Sequence, residues 1–429
     1  MRFPVALFLT ASLLAISSCA GKPSEIQVSP ATAERLAGIW KGGIMVSGVS
    51  LTIQVEFLTN AGKVSARFMS VSQGSPWIWL QDLSLGTEEV SFVLRPQLNA
   101  AANFHGRISN TRIAGTFVQA GITGAFEIAK AGSADPETAG TEYDIPVSNG
   151  TLSATYLTPK GKKNFPAVLL VSGSGPTDRD GNNPYVAGQP DSMRLLAEAL
   201  AQSGIASLRF DKRGVAKSRG AMVAEKDIRV ELLADDTAAC AKWLRARPGV
   251  TRLVIAGHSE GALMATLAAP AVNPDGVVLL EGAGRKASDI LLIQLTNQPE
   301  ALQKESSNAV SAILSGKPYQ SPPELASLFR ESVQPYLAGW FAVDPAAELK
   351  KVKAPVLIVS GTADRQIFPQ EAAALRTARP DASFAEFTNM SHLLKTSVTN
   401  AGKSAIGDPS EPLAKGLTER VAEFVEELR

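Results

Sequence analysis

The stretch RLVIAGHSEGALMATLAA, from Arg252 to Ala269, joins two kinds of element through one short turn. Its beginning is apolar and reads as a buried strand, and the residues after Glu260 read as a helix rich in small side chains. Between them stands Gly257-His258-Ser259-Glu260-Gly261, a G-x-S-x-G. Strands of this uniformly apolar kind belong to a parallel sheet covered on both faces. The pentapeptide alone says little about chemistry. Glycine and serine each make up about 7–8% of residues, so chance supplies a match in about one of every four or five chains this long. Its neighbours have to decide.

The surrounding sequence repeats the same grain. EYDIPV and LSATYLTP read as two antiparallel strands that lead into the apolar PAVLLVSGSG. From there strands alternate with helices. DSMRLLAEALAQSG is a helix, ASLRF a strand, EKDIRVELLADDTAACAKWLRA one long amphipathic helix, and GVVLLEG, APVLIVSG and ASFAEFT are three more strands. Residues 141–429 therefore form an α/β sheet protein. Between the strands GVVLLEG and APVLIVSG lie about 70 residues, 285–353, that look helical and hold no convincing strand. They are a candidate cap over a site.

At 429 residues the chain has room for more than one domain. Residues 36–130 follow period two: in LTIQVEFL, Leu51, Ile53, Val55 and Phe57 alternate with polar residues, and TNAGK reads as a hairpin turn. This is an all-β module, a small barrel or sandwich. AGSADPETAG, within 131–140, is a linker. Residues 1–18 carry Arg2 and an apolar run from Val5 to Ile16, too short to span a membrane and arranged like an export signal. Ile16-Ser17-Ser18-Cys19 resembles a bacterial lipoprotein box, which implies lipidation of Cys19, a tether over 19–35, and anchoring on the periplasmic side of a bacterial membrane, the outer one given Ala20. Without lipidation the chain would be periplasmic or secreted.

The net charge of +1 leaves no basic footprint for nucleic acid, and no metal-ligand spacing is present, so neither a metal nor an organic cofactor is implied. Cys240, in a helical pattern, reads as a small core residue. The three histidines, His105, His258 and His392, limit any mechanism that needs one.

In an open parallel sheet, ligands bind beyond the carboxyl ends of the strands. Ser259 follows RLVIAG, Asp364 follows APVLIVSG, His392 follows ASFAEFT, and Ser174 lies in a glycine-containing turn after PAVLLVSG. These supply a nucleophile, an acid, a base and backbone N–H donors. A serine hydroxyl needs a base to take its proton, histidine serves near neutral pH, and a carboxylate orients the ring. The N–H groups of Ser174 and Glu260 would face the oxyanion. Glu281 also ends a strand and competes with Asp364, whose spacing from His392 suits neighbouring loops. His258, in the turn beside Ser259, is expected to point away from the hydroxyl. His105 has no partner in its segment. Asp211, Arg213 and Gly214 brace a turn.

Five segments in order, SGSGPTDRDGN, RFDKRG, GHSEGA, PVLIVSGTADRQI and NMSHLLK, resemble bacterial α/β-hydrolases of the esterase D type, serine carboxylesterases with a helical cap. The resemblance spans most of 141–429. It implies an α/β-hydrolase fold with a mostly parallel sheet and a helical insertion, here preceded by the small all-β domain. It also implies Ser259, Asp364 and His392 as the triad, with Ser174 and Glu260 as oxyanion donors and a small-molecule ester as substrate. Ser172-Gly173 stands where the family has His-Gly, and Ala262 where a glycine is common. Thioester and peptide substrates suit the same triad, and a tethered, non-catalytic binding protein is the reading from a different class.

Overall fold

The computed structural model describes residues 23–428 except 47–48, 61, 72–74, 96–99, 110–111, 131–139, 184–188, 297 and 397–410. The export signal, Cys19 and most of the linker lie outside the described residues. Among the described residues the chain divides into two compact units, one built on those up to 130 with 182–183, 189–191 and 411, the other on those within 140–181, 192–396 and 412–428.

In the first unit the period-two pattern becomes ten strands: β1 (Ile26–Gln27), β2 (Gly38–Val46), β3 (Val49–Asn60), β4 (Lys63–Ser70), β5 (Ile78–Trp79), β6 (Gln81–Leu85), β7 (Glu89–Leu94), β8 (Ala102–Ser109), β9 (Arg112–Gln119) and β10 (Ile122–Lys130). They form one antiparallel sheet in the order β1-β4-β3-β2-β10-β9-β8-β7-β6, with β5 paired to β4. β5 therefore lies near one end of this path, and after the single residue Leu80 the chain enters β6 at the other end. The sheet curls into a nearly closed barrel, not a sandwich. One residue in two faces inward, as Val64, Ala66 and Phe68 do along β4. The interior is aromatic, with Phe92 and Phe104 stacked at 4.8 Å between ring centres. His105 is exposed on β8.

The expected tether over 19–35 is ordered where it is described. Besides β1 it holds a short helix, α1 (Pro30–Leu36), which Ser29 caps by accepting the N–H of Thr32 and which Pro30 opens. Leu36 is fully buried, and its carbonyl accepts the indole N–H of Trp40 at 2.7 Å.

The second unit holds β11 (Thr141–Val147), β12 (Gly150–Leu157), β13 (Phe165–Val171), β14 (Ala206–Phe210), β15 (Val250–His258), β16 (Gly276–Leu280), β17 (Val356–Gly361) and β18 (Ser383–Phe387). Their order is β11-β12-β14-β13-β15-β16-β17-β18, and every pairing from β14 to β18 is parallel. The helices are α2 (Ser192–Gln202), α3 (Val230–Arg245), α4 (Glu260–Val272), α5 (Ala287–Gln294), α6 (Glu300–Leu314), α7 (Ala326–Phe329), α8 (Gln334–Ala342), α9 (Pro345–Leu349), α10 (Pro369–Ala378) and α11 (Leu417–Glu427). Both faces of the sheet are covered, which accounts for the continuous apolar runs. Ala167, Leu169 and Val171 of β13 join a core with residues of α3 and α4, whereas Val168 and Leu170 join another with residues of α2 and α11. Cys240 is buried in the first of these cores, and burial, then the nearby Asp236 charge, pushes its thiol up.

Segment 285–353 is helical where described, from α5 to α9, and Ala309, Val310, Ile313, Leu325, Phe329, Leu337 and Phe341 give it a core of its own. One helix is shorter than its pattern suggests. Glu225–Asp227 is a separate 3-10 turn, and Arg229, at φ −136° and ψ 155°, breaks the helical backbone before α3. The Glu225 carboxylate is held by Arg330 and Ser332 of the cap.

Candidate active site

From β13 the chain passes to β14 on one side, and β15 pairs on the other. The strand order reverses there, and the loops beyond the carboxyl ends of β13 and β15 part to leave a crevice. Ser259 follows β15 at its edge, with φ 57° and ψ −121°. A non-glycine residue in such a conformation costs about 1–3 kcal/mol and persists only where its surroundings hold it. Here its N–H donates to the Leu280 carbonyl at 2.9 Å, and its carbonyl accepts the N–H of Ala262 at 3.0 Å. The two elbow glycines are steric requirements. A Cβ on Gly257 would sit 2.0 Å from the Gly261 carbonyl oxygen, and one on Gly261 would sit 2.2 Å from that of Val171. The methyl of Ala262 fits because the residue facing it is Gly282, whose added Cβ would lie 2.9 Å from it.

His392 and Asp364 meet at the ends of β18 and β17. His392 Nδ1 lies 2.7 Å from Asp364 Oδ2, and Asp364 Oδ1 accepts the N–H groups of Gln366 at 2.7 Å and Ile367 at 2.9 Å. Burial works to raise the Asp364 carboxyl, but the contact with His392 and the two N–H donors bring it below its ordinary value. A charged Asp364 accepts, so Nδ1 donates, and a neutral His392 ring then has its basic nitrogen at Nε2. Among the described residues no hydrogen bond joins Ser259 Oγ to His392; such bonds often tighten only once substrate is bound.

His258 has a partner that sequence reasoning missed. Its Nε2 lies 2.7 Å from the His392 carbonyl oxygen, and the two rings are 4.7 Å apart. A carbonyl can only accept, so Nε2 carries the proton. Burial, then the neighbouring His392, lowers the His258 ring to about 3, which keeps it neutral at physiological pH. Glu281, the rival acid, is almost fully buried and lies beside Gly361 and the Asp364 carboxylate.

A cavity of about 120 Å³ opens beside Ser259, lined on its apolar side by Leu263, Ile290, Leu291, Trp340 and Ile367, with Ser174, Glu260, Arg285, Gln294 and Gln366 as polar groups. Several of these are held from a distance. The buried Glu371 accepts the N–H groups of Gly284 and Arg285 and pairs with the Arg285 guanidinium, which fixes the rim between β16 and α5. Glu260 is bound by the Tyr336 hydroxyl of the cap and by Lys212 Nζ at 3.3 Å. Asp211 and Arg213 brace the loop after β14: Asp211 accepts from Arg179, and Arg213 holds Asp236. Among the described residues no group of three or more His, Cys, Asp or Glu side chains gathers to hold a metal ion.

The model of the alpha/beta hydrolase family matches residues 168–398. Esterase EstD of Thermotoga maritima is 27% identical over 315 residues, covering 72% of this chain and 71% of that protein. Among solved structures, Est1E from Butyrivibrio proteoclasticus, determined with ferulic acid bound, aligns with a TM-score of 0.45 at 19% identity, over 66% of this chain and 96% of that one. The Pyrococcus furiosus esterase Pf2001 aligns with a TM-score of 0.45 at 17% identity, over 70% and 95% respectively.

Proposed function

The chain belongs to the alpha/beta hydrolase family, and from that premise we propose that it is a serine carboxylesterase. The observation that carries this reading is the strained Ser259 at the sheet's reversal point, with the hydrogen-bonded Asp364–His392 pair at the ends of other strands of the same sheet. The similarity to an esterase over most of the chain supports it.

Ser259 Oγ attacks the ester carbonyl while His392 Nε2 takes its proton, and the Asp364 carboxylate stabilises the imidazolium. The carbonyl oxygen becomes an oxyanion received by the N–H groups of Ser174 and Glu260; losing one such donor typically costs ~10²–10³ in rate. Collapse of the tetrahedral species expels the alcohol, which takes the proton from His392. Water, activated by the same ring, then releases the acid from Ser259. The apolar residues of the cavity, Leu263, Ile290, Leu291, Trp340 and Ile367, would take the acyl or alkoxy chain, and the bulk of Trp340 favours a short one.

Hydrolysis of a p-nitrophenyl series from acetate to dodecanoate tests this. Activity that favours the short members and vanishes in Ser259→Ala, with melting unchanged, is the expected result. A folded protein that cleaves none of them would move the assignment to thioesters or peptides, and Ser259 unlabelled by a fluorophosphonate would mean a non-catalytic protein. We also infer, from the Val5–Ile16 run and the cysteine after Ser18, that the protein is exported and anchored through lipidated Cys19. Labelling cells with an alkyne fatty acid should mark the wild type and spare Cys19→Ala; equal labelling of both would refute it.

A further inference from the structure

Ser172-Gly173 departs from the His-Gly of similar hydrolases, and other groups hold the turn after β13. Ser172 Oγ donates to the Asp178 carbonyl at 2.8 Å, and Lys212 Nζ donates to the Gly173 carbonyl at 2.5 Å. Lys212 leaves the end of β14, the strand beside β13, between Asp211 and Arg213, and it is buried. Its two neighbours are anchored by Arg179 and Asp236, so the backbone that carries Lys212 is fixed and its side chain has a defined reach.

We propose that Lys212 is the positioning residue of the oxyanion hole, orienting the Gly173–Ser174 peptide and Glu260 through one ammonium group. This rests on the serine-esterase reading above. A trans peptide is planar, with its carbonyl and N–H pointing in opposite directions. Once the Gly173 oxygen is turned to Lys212, the Ser174 N–H is turned the other way. The peptide lies against the elbow: a Cβ on Gly173 would be 3.3 Å from both His258 Nδ1 and Ser259 Cβ. The same Nζ is 3.3 Å from Glu260 Oε2, and Glu260 is the first residue of α4, where a backbone N–H has no partner within the helix. The groups carrying both donors thus share one tie. A donor tilted off its direction loses most of its value to a charge that develops only in the transition state, so the effect belongs in kcat and not in substrate binding.

Lys212→Met, Lys212→Gln and Lys212→Arg test this with a p-nitrophenyl ester and a trifluoromethyl ketone of matching acyl group, which forms a tetrahedral oxyanion on Ser259. Lys212→Met should lower kcat about 10- to 100-fold and leave KM within about threefold. Across the variants, ketone affinity should fall in step with kcat/KM. A residue that only supports the fold would not produce this proportion. Folded variants with unchanged kcat, or with the loss confined to KM, overturn the proposal, and so does failure of all three to fold. Fluorophosphonate labelling separates the two levels. A labelled wild type with unaffected variants removes only the role of Lys212; an unlabelled wild type removes the esterase reading and this proposal together.

Discussion

Two carboxyl groups stand at the ends of the neighbouring strands β16 and β17, and their surroundings drive them to opposite states. Asp364 has the His392 ring and two backbone N–H donors, and it holds its charge. For Glu281, burial, then the Asp364 charge, pushes the carboxyl up to about 10, so at neutral pH it keeps its proton. The unfolded chain releases that proton near the ordinary value of 4.5. Between these limits the folded state binds more protons than the unfolded one, so this group's contribution to stability falls as pH rises. Glu281→Gln, neutral at every pH, should therefore melt above the wild type by a margin that widens from about pH 5 to about pH 9. Its kcat/KM at neutral pH should stay within about threefold of the wild type, whereas Asp364→Asn should lose on the order of 10⁴. A collapse in Glu281→Gln comparable to that of Asp364→Asn would mean that Glu281 is the working acid. Thermal scans across pH and steady-state rates decide it.

At the scale of elements, α8 of the cap brings two residues to the site. Tyr336 binds Glu260, and Trp340 lines the cavity together with Leu263. Since the ring of Trp340 limits the space beside Ser259, Trp340→Ala should lengthen the preferred acyl chain. The octanoate-to-acetate ratio of kcat/KM should rise by at least about an order of magnitude, the least that one further methylene is worth in an apolar pocket. An unchanged ratio would place the acyl group elsewhere. The elements show which parts of this molecule can be read from its residues. Ser259, Asp364 and His392 are legible because each follows an apolar strand within a few residues, and parallel strands send all such loops to one edge. Lys212, Tyr336 and Glu371 are not, because their partners lie 39, 76 and 86 residues away in the chain. RFDKRG marks a turn but says nothing of where the lysine points. Glu225 misleads for a related reason: its local pattern suits a helix, yet its carboxylate is bound to Arg330, 105 residues on. The ordered segment 23–35 carries too few alternating residues to declare itself, although Ser29-Pro30 is a legible helix start.

For the whole molecule, the question is whether the barrel takes part in the chemistry. The aromatic core holds residues from Ala33 to Ile128 only, and the three other cores hold residues from Ile145 onward only. Each unit has its own buried interior, the ordinary condition for independent folding. Every residue given a catalytic or positioning part here belongs to the second unit. A chain beginning at Gly140 should therefore melt cooperatively and cleave p-nitrophenyl acetate with kcat/KM within about twofold of the full chain. A chain ending at Lys130 should melt by itself without hydrolysing the ester. If the shorter hydrolase folds but is inactive, the barrel shapes the site; if it does not fold, the barrel stabilises it. Either result would give the β-domain a role within the catalytic protein, whereas equal activity would leave it free to serve recognition of something other than the scissile ester.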